Sequence, residues 1–455
     1  MPGRSVPPSA QGSGGRPWLI AAIIVLSLAL IAMLWFSVRP MLLGGGAPKS
    51  SGVGANAPDS GQPTTTDTFG PMSWSAPLTI ADANDFSASP VAAPVVRESG
   101  IDGIDLAGWA LDGGSYHLQA VDSSTLRALW GPTQFHILAA TQDGIVTAGV
   151  DGGTVGVLDP HTGNTIGTAL SWQNYANTSV GGGMILAMDH SDPANVTVCG
   201  QKITAPGKCV WTKSGPRLTL SQVFGGDTWV DLGPEVVDVA TGELAPFGKR
   251  PLPEPDSSGT IPIDTFVGPT KDRILHRFNG YQLWDPQTDS ARGPTMRLGG
   301  YLMYDSELPN FMTAASDGTV TAYSWQTGEQ QWQTRLAPGF GSGPPYGGDQ
   351  IYGNTLLVVD YSPSPSDNPL STAGVWAVDA ATGQITGHHP APGFLSGVVA
   401  GVAYLKDGNT LTAVDATTLA PLGSLAYPAP NSWVGVVGGH VAAMTQSGQY
   451  YVLQT

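Results

Sequence analysis

The side chains in this 455-residue chain that could do chemistry are carboxylates at a fixed spacing. Asp-x-x-Thr begins at Asp122, Asp159, Asp238, Asp285, Asp379 and Asp415, and Ser324 heads a further copy with Ser in place of Asp. A carboxylate so placed can accept hydrogen bonds from the backbone N–H groups two and three residues on, which makes a turn. Acids in Asp-Gly pairs could also suggest calcium. However, Asp112-Gly113, Asp151-Gly152, Asn279-Gly280, Asp317-Gly318 and Asp407-Gly408 stand between paired apolar runs, where two-residue hairpins explain them. The eight histidines are scattered except for His388-His389. Adjacent strand residues point to opposite faces, so that pair is a poor joint metal site. The chain has no His-Glu-x-x-His, no Gly-x-Ser-x-Gly and no Gly-x-x-x-x-Gly-Lys-Ser/Thr. The expectation is therefore no catalytic residue, no metal ligand and no cofactor.

The elements that carry these turns are short strands. Alternating apolar runs precede the motif, as in Leu118-Gln119-Ala120-Val121 and Val375-Trp376-Ala377-Val378. The copies recur with a period of about 40 residues, the mark of a repeat architecture. The gap from Asp159 to Asp238 is about two periods, and its midpoint falls near Cys199-Gly200. There the motif is missing and two cysteines stand in its place. Cys199 is expected to end one strand and Cys209 to begin the next, with a disulfide clamping the hairpin. No stretch after residue 72 has a helical period, and 61 Gly and 38 Pro suit many turns. The predicted class is all-β: four-stranded antiparallel units in a radial array.

Charge is uneven along the chain. Four of the 19 basic residues (Arg4, Arg16, Arg39, Lys49) but only two of the 35 acids (Asp59, Asp67) precede residue 72. The acidic remainder should be repelled by phosphates, which excludes a nucleic-acid partner. Residues 18–38 are uncharged and apolar, and as a helix would span about 31 Å, enough to cross a bilayer core. The length of the run, and Arg39-Pro40-Met41 after it, favour an uncleaved anchor over a signal peptide, whose apolar region is about 7–15 residues. The expected organisation is a cytoplasmic tail (1–17), a transmembrane helix (18–38), a flexible Gly/Pro/Ser/Thr linker (39–71) and the repeat domain (72–455). The cysteine pair and the acidic domain place that domain outside the cell membrane.

The repeats resemble those of the quinoprotein-dehydrogenase-like β-propeller family, whose signature runs apolar-x-Ala-x-Asp-x-x-Thr-Gly-x-x-x-Trp. Leu118 through Trp130 and Thr321 through Trp332 match it best, and Val375 through Gly383 matches its first half. The resemblance covers about residues 97–455. It implies a ring of eight blades, with seven or nine as alternatives, and Trp130 and Trp332 packed between neighbours. The strand positions, counted literally with the final hairpin, give nine. That hairpin (residues 440–455) is expected to close the ring with a strand near Leu78-Thr79-Ile80. The family holds redox enzymes and also non-catalytic scaffolds and external sensors. A member using pyrroloquinoline quinone would carry adjacent cysteines over the cofactor, and this chain has no Cys-Cys.

Loops longer than the repeat requires are the usual carriers of function on a rigid scaffold. Three stand out: 292–310 with Tyr301 and Tyr304, 338–348 with Tyr346, and 361–370 with Tyr361. They are expected to form one binding face, opposite the Asp-x-x-Thr turns. The reading is a membrane-anchored, non-enzymatic propeller that binds a protein partner near the membrane surface. The alternatives are a ligand- or glycan-sensing propeller and a quinone-dependent dehydrogenase. Asn177-Thr-Ser and Asn195-Val-Thr are sequons of low specificity, the second expected within a strand.

Overall fold

In the computed structural model, residues 69–87, 92–150, 153–169, 177–192, 194–221, 223–249, 265–277, 281–296, 300–315, 317–336, 350–360, 374–390 and 394–455 are described. The expected anchor at 18–38, nearly all of the 39–71 linker, Tyr346, Tyr361, Asp151-Gly152 and Asn279-Gly280 lie outside them. Among the described residues no helix is long and apolar enough to cross a membrane.

Strands β1 (Ser73–Trp74) and β2 (Leu78–Thr79) and a short helix, Ala83–Ser87, come first. β3 to β9 (Ala93–Glu98, Ile104–Ala110, Tyr116–Asp122, Arg127–Thr141, Gly144–Ala148, Val155–Leu158, Thr165–Ala169) form one seven-stranded sheet. The long strand β6 pairs with β5 through residues 127–135 and with β7 through 136–141, so this sheet is two four-stranded units sharing a strand. Six four-stranded sheets follow in chain order. They are β10 to β13 (Thr178–Gly181, Met184–Asp189, Val196–Lys202, Ala205–Gly215) and β14 to β17 (Val223–Phe224, Trp229–Asp231, Glu235–Asp238, Leu244–Lys249). Next come β18 to β21 (Thr265–Thr270, Arg273–Arg277, Tyr281–Asp285, Ser290–Met296) and β22 to β25 (Gly300–Met303, Asn310–Ala315, Thr319–Ser324, Gln330–Arg335). The last two are β26 to β29 (Gln350–Tyr352, Thr355–Asp360, Gly374–Asp379, Ile385–His389) and β30 to β33 (Phe394–Val399, Val402–Asp407, Thr410–Asp415, Pro421–Ala426). β34 to β36 (Trp433–Val437, His440–Met444, Gln449–Gln454) complete the chain.

That final sheet takes its outer strand from the other end of the domain. Ser73 pairs with Gln454 and Leu78 with Tyr450. First strands of successive units are neighbours (β10 and β14, β14 and β18, β26 and β30, β30 and β34), and β34 also lies beside β3. The last sheet therefore returns to the first, and the architecture is a β-propeller.

Burial explains why the second and third strands are apolar on both faces. Leu356 and Val358 pack toward Met312 and Val320 of the preceding sheet, while Leu357 and Val359 pack toward Leu405 and Val414 of the following one. With a period of two, consecutive residues feed two different cores. Fourth strands such as Gln330–Arg335 and Pro421–Ala426 are outermost and show only exposed and half-buried positions.

Three local expectations are corrected. Asp112-Gly113 is not a two-residue hairpin: Asp112–Gly114 forms a 3₁₀ turn, closed by the Leu111 N–H donating to the Ser115 carbonyl at 2.9 Å. The Cys199–Cys209 disulfide is present, but neither cysteine stands at a strand end. Both strands run past it, with Lys202 paired to Ala205. At the tip Ile203 is fully buried beside Val146 and Val157 of the preceding unit and Ile185 of its own, a packing that the longer hairpin reaches. Asn195 is likewise exposed in the turn before β12, not within the strand.

Candidate functional site

The repeated acids are all engaged as turn acceptors. One carboxylate oxygen of each accepts two backbone N–H groups: Asp122 from Ser124 and Thr125 (both 2.9 Å), Asp159 from His161 and Thr162 (2.9 and 2.8 Å), Asp379 from Ala381 and Thr382 (3.1 and 2.8 Å). Asp238, Asp285 and Asp415 repeat the pattern, and the Ser324 hydroxyl substitutes with bonds of 3.0 and 3.3 Å. The hydroxyl and N–H donors hold the Asp122 carboxyl below its ordinary range, the Thr162 N–H chiefly does so for Asp159, and Arg292 does so for Asp285. These groups stay anionic near neutrality, with a fixed donor set.

The tryptophans join one unit to the next. Nε1 of Trp130 donates to the Pro160 carbonyl at 2.7 Å, and Nε1 of Trp332 to the Ala380 carbonyl at 3.1 Å, each acceptor lying within the next unit's Asp-x-x-Thr turn. Trp211 does the same onto Val239 at 2.8 Å. The sequence concealed that third example because the extended cysteine hairpin displaces Trp211 from the regular offset. Three other tryptophans contact imidazoles: Trp109 lies tilted to His117, Trp284 meets His276 edge-on and Trp376 stacks on His388, with ring centroids 6.4, 4.9 and 3.9 Å apart.

Of the four tyrosines expected on one face, the two among the described residues, Tyr301 and Tyr304, lie toward opposite ends of their sheet. Met303 pairs with Met312, and Asn310 with Ser324, so Tyr304 stands at the end of its sheet that carries the Asp-x-x-Thr turns. Antiparallel alternation puts the first-to-second connection there, whereas the second-to-third and sheet-to-sheet connections leave from the other end. Tyr304 is half-buried with its ring 6.1 Å from that of Trp325, and burial raises its phenol above the ordinary value, with Tyr281 adding to the effect. It packs against the core formed by Phe311 and Trp325. Tyr301 lies in β22, paired with Ala314 near the opposite end.

A polar cluster unanticipated from sequence lies where the last unit meets the first. Asp105 of β4 is fully buried. Its Oδ2 accepts from the Tyr450 hydroxyl at 2.6 Å and pairs with Nε2 of His440 at 2.7 Å, while Oδ1 has no hydrogen-bond partner. Beside it, Glu98 accepts the Gly438 N–H at 2.8 Å. The entering segment crosses the same boundary. Ile80 is buried, the Ala81 N–H donates to Gln119 Oε1 at 2.8 Å, and Phe86 stacks on Trp109 at 5.2 Å and lies tilted to His117 at 4.5 Å. Asp82 lies 3.4 Å from His117. Among the described residues no group of three or more His, Cys, Asp or Glu side chains could hold a metal ion.

No family model and no curated protein matches the chain. Among solved structures, BamB from Moraxella catarrhalis is 12% identical, with a TM-score of 0.41, covering 84% of this chain and 100% of its own. The dihydro-heme d1 dehydrogenase NirN is 15% identical, with a TM-score of 0.39, covering 84% of this chain and 72% of its own. The quinohemoprotein alcohol dehydrogenase from Comamonas testosteroni is 11% identical, with a TM-score of 0.39, covering 84% of this chain and 76% of its own. The fold assignment rests on the strand pairings above, not on these likenesses.

Proposed function

We propose that this chain is a membrane-anchored, extracytoplasmic propeller of nine units that binds a protein partner and performs no catalysis. Nine units, in place of the eight that the resemblance implies, is supported by dividing the seven-stranded sheet at β6 and taking β34 to β36, with β1 and β2, as the closing unit. The outward placement draws on the apolar run at 18–38 and on the disulfide, a bond that persists in oxidising compartments.

The observation that carries the binding reading is the contrast between the two ends of the sheets. At one end the repeated carboxylates are tied to their own turns, and the first-to-second connections there run only from two residues (353–354) to six (304–309). At the other end the connections differ in length from unit to unit: Gly408 and Asn409 alone join β31 to β32, whereas residues 361–373 join β27 to β28. Variation on one end of a rigid frame is what recognition of a shape requires.

The test uses photo-crosslinking residues in intact cells. They would be placed at Asp112 and Asn409 on the variable end and at Thr162 and Thr382 on the turn end, all of which are exposed. A discrete protein adduct from the first pair alone is expected. Adducts from neither end, or equally from both, overturn the reading. Dye reduction after reconstitution with quinone and calcium would move the assignment to redox catalysis.

A further inference from the structure

The boundary between the first and last units is held by groups from chain positions that are far apart. His440 and Tyr450 lie 335 and 345 residues from Asp105 in sequence. Both donate to one oxygen of a carboxylate that has no exposure to solvent. A buried carboxylate is costly unless a charge compensates it. No Lys or Arg forms an ion pair with Asp105 among the described residues, so the compensating group is His440, whose side chain is one-fifth exposed.

We propose that this seam is a proton-operated clasp: His440, as an imidazolium, secures Asp105, and loss of its proton loosens the last unit from the first. The groups facing His440 from the packed elements are Asp105 on β4 and Glu98 on β3. Tyr450 on β36 shares the Asp105 oxygen and also senses Asp122 on β5. All are acidic or neutral, so each favours the charged imidazole or leaves it unopposed. Burial pulls the imidazole toward the neutral form. The hydrogen bond to Asp105 and its charge, with the Gly438 carbonyl and Glu98, outweigh burial and raise His440 above its ordinary value. Burial and Asp105 raise the Tyr450 phenol further still, so it stays a donor throughout. The sign follows: a group raised in the folded state stabilises fully below its unfolded value of about 6.5, and that contribution is lost as pH rises through the folded value.

The consequence is local. Ser73 and Trp74, Leu78 and Thr79 close the ring on β36, the strand that carries Tyr450. Losing the imidazolium would therefore loosen the strap that links the domain to the preceding chain, while the other unit boundaries keep their tryptophan and apolar contacts.

Hydrogen–deuterium exchange of the full chain, corrected for intrinsic rates, tests this. Between about pH 6 and pH 8.5, peptides covering 73–79, 93–110 and 433–454 should gain exchange by roughly three- to tenfold over peptides covering 310–335. His440→Gln keeps a donor but cannot titrate, and should flatten that dependence. Imidazole resonances of the unsubstituted chain give an independent reading should the variant fold poorly. Seam exchange that does not change with pH, the same dependence in H440Q, or a His440 resonance titrating at or below the ordinary value would each overturn the clasp.

Discussion

Trp332 lies against Gly383 of the next sheet so closely that a Cβ on that glycine would stand 2.6 Å from the indole ring. Gly383 also has a φ of +74°, and its N–H donates to the Asp379 carbonyl at 2.8 Å. Two demands thus meet on one residue, a left-handed backbone and room for a ring. Gly383→Ala should cost roughly 2–4 kcal/mol in urea unfolding, against about 1 kcal/mol at a left-handed glycine with space around it. Gly353, with a φ of +54° and nothing within 4 Å of its added Cβ, is that control. Equal losses at the two sites would show that the indole contact contributes nothing.

The chain contains its own alternative to this pairing. One unit further on, Gly387 occupies the position of the tryptophan, and the residue after Thr418 is Leu419, with a φ of +57°. A Cβ at Gly387 would come 2.1 Å from the Thr418 carbonyl oxygen, so there the backbone itself fills the gap. A large residue on one side thus goes with glycine on the other. The double variant Trp332→Gly with Gly383→Leu should lose about 1–3 kcal/mol less than the sum of its singles in a double-mutant cycle. Strict additivity would mean that the two contacts form independently.

How much of this was legible follows from range. The Asp-x-x-Thr turns were readable because their bonds span two or three residues, and the disulfide because its cysteines stand in the one period where the motif is missing. Trp211 was missed because a hairpin lengthened by the buried Ile203 shifted it. The positive φ at Leu126, Asp289 and Leu419 is imposed by the turn on residues whose type does not announce it. The Asp105, His440 and Tyr450 cluster was invisible because only ring closure brings the two ends of the domain together. The end of the sheet at which Tyr304 lies was not legible because β22 divides the 292–310 stretch between the two ends.

The turn carboxylates make stability sensitive to acid. Asp122 is lowered chiefly by the Ser124 hydroxyl, Asp159 by the Thr162 N–H and Asp285 by Arg292. A lowered folded-state value means the contribution is complete above the unfolded value of about 3.9 and is lost as pH falls through the folded one. Asp159→Asn retains an acceptor oxygen without a titrating proton. It should unfold near neutrality almost as the natural chain does, yet show a smaller loss of thermal stability below about pH 4. An unchanged acid limb would assign the acid sensitivity to other groups.

The disulfide does more than close its own hairpin. Pro206 lies against Gly167 of β9, and a Cβ there would meet its ring at 2.8 Å. With Ile203 beside Val146 and Val157, the cross-linked tip rests on the preceding unit. Replacing Cys199 and Cys209 by alanine should cost about 2–3 kcal/mol through the freed chain entropy. It should also raise hydrogen exchange in residues 155–169, which contain no cysteine, because the tip that covers them becomes free to lift. A stability loss confined to 196–215, with exchange in 155–169 unaltered, would show that Ile203 alone holds the two units together and that the cross-link acts only within its own hairpin.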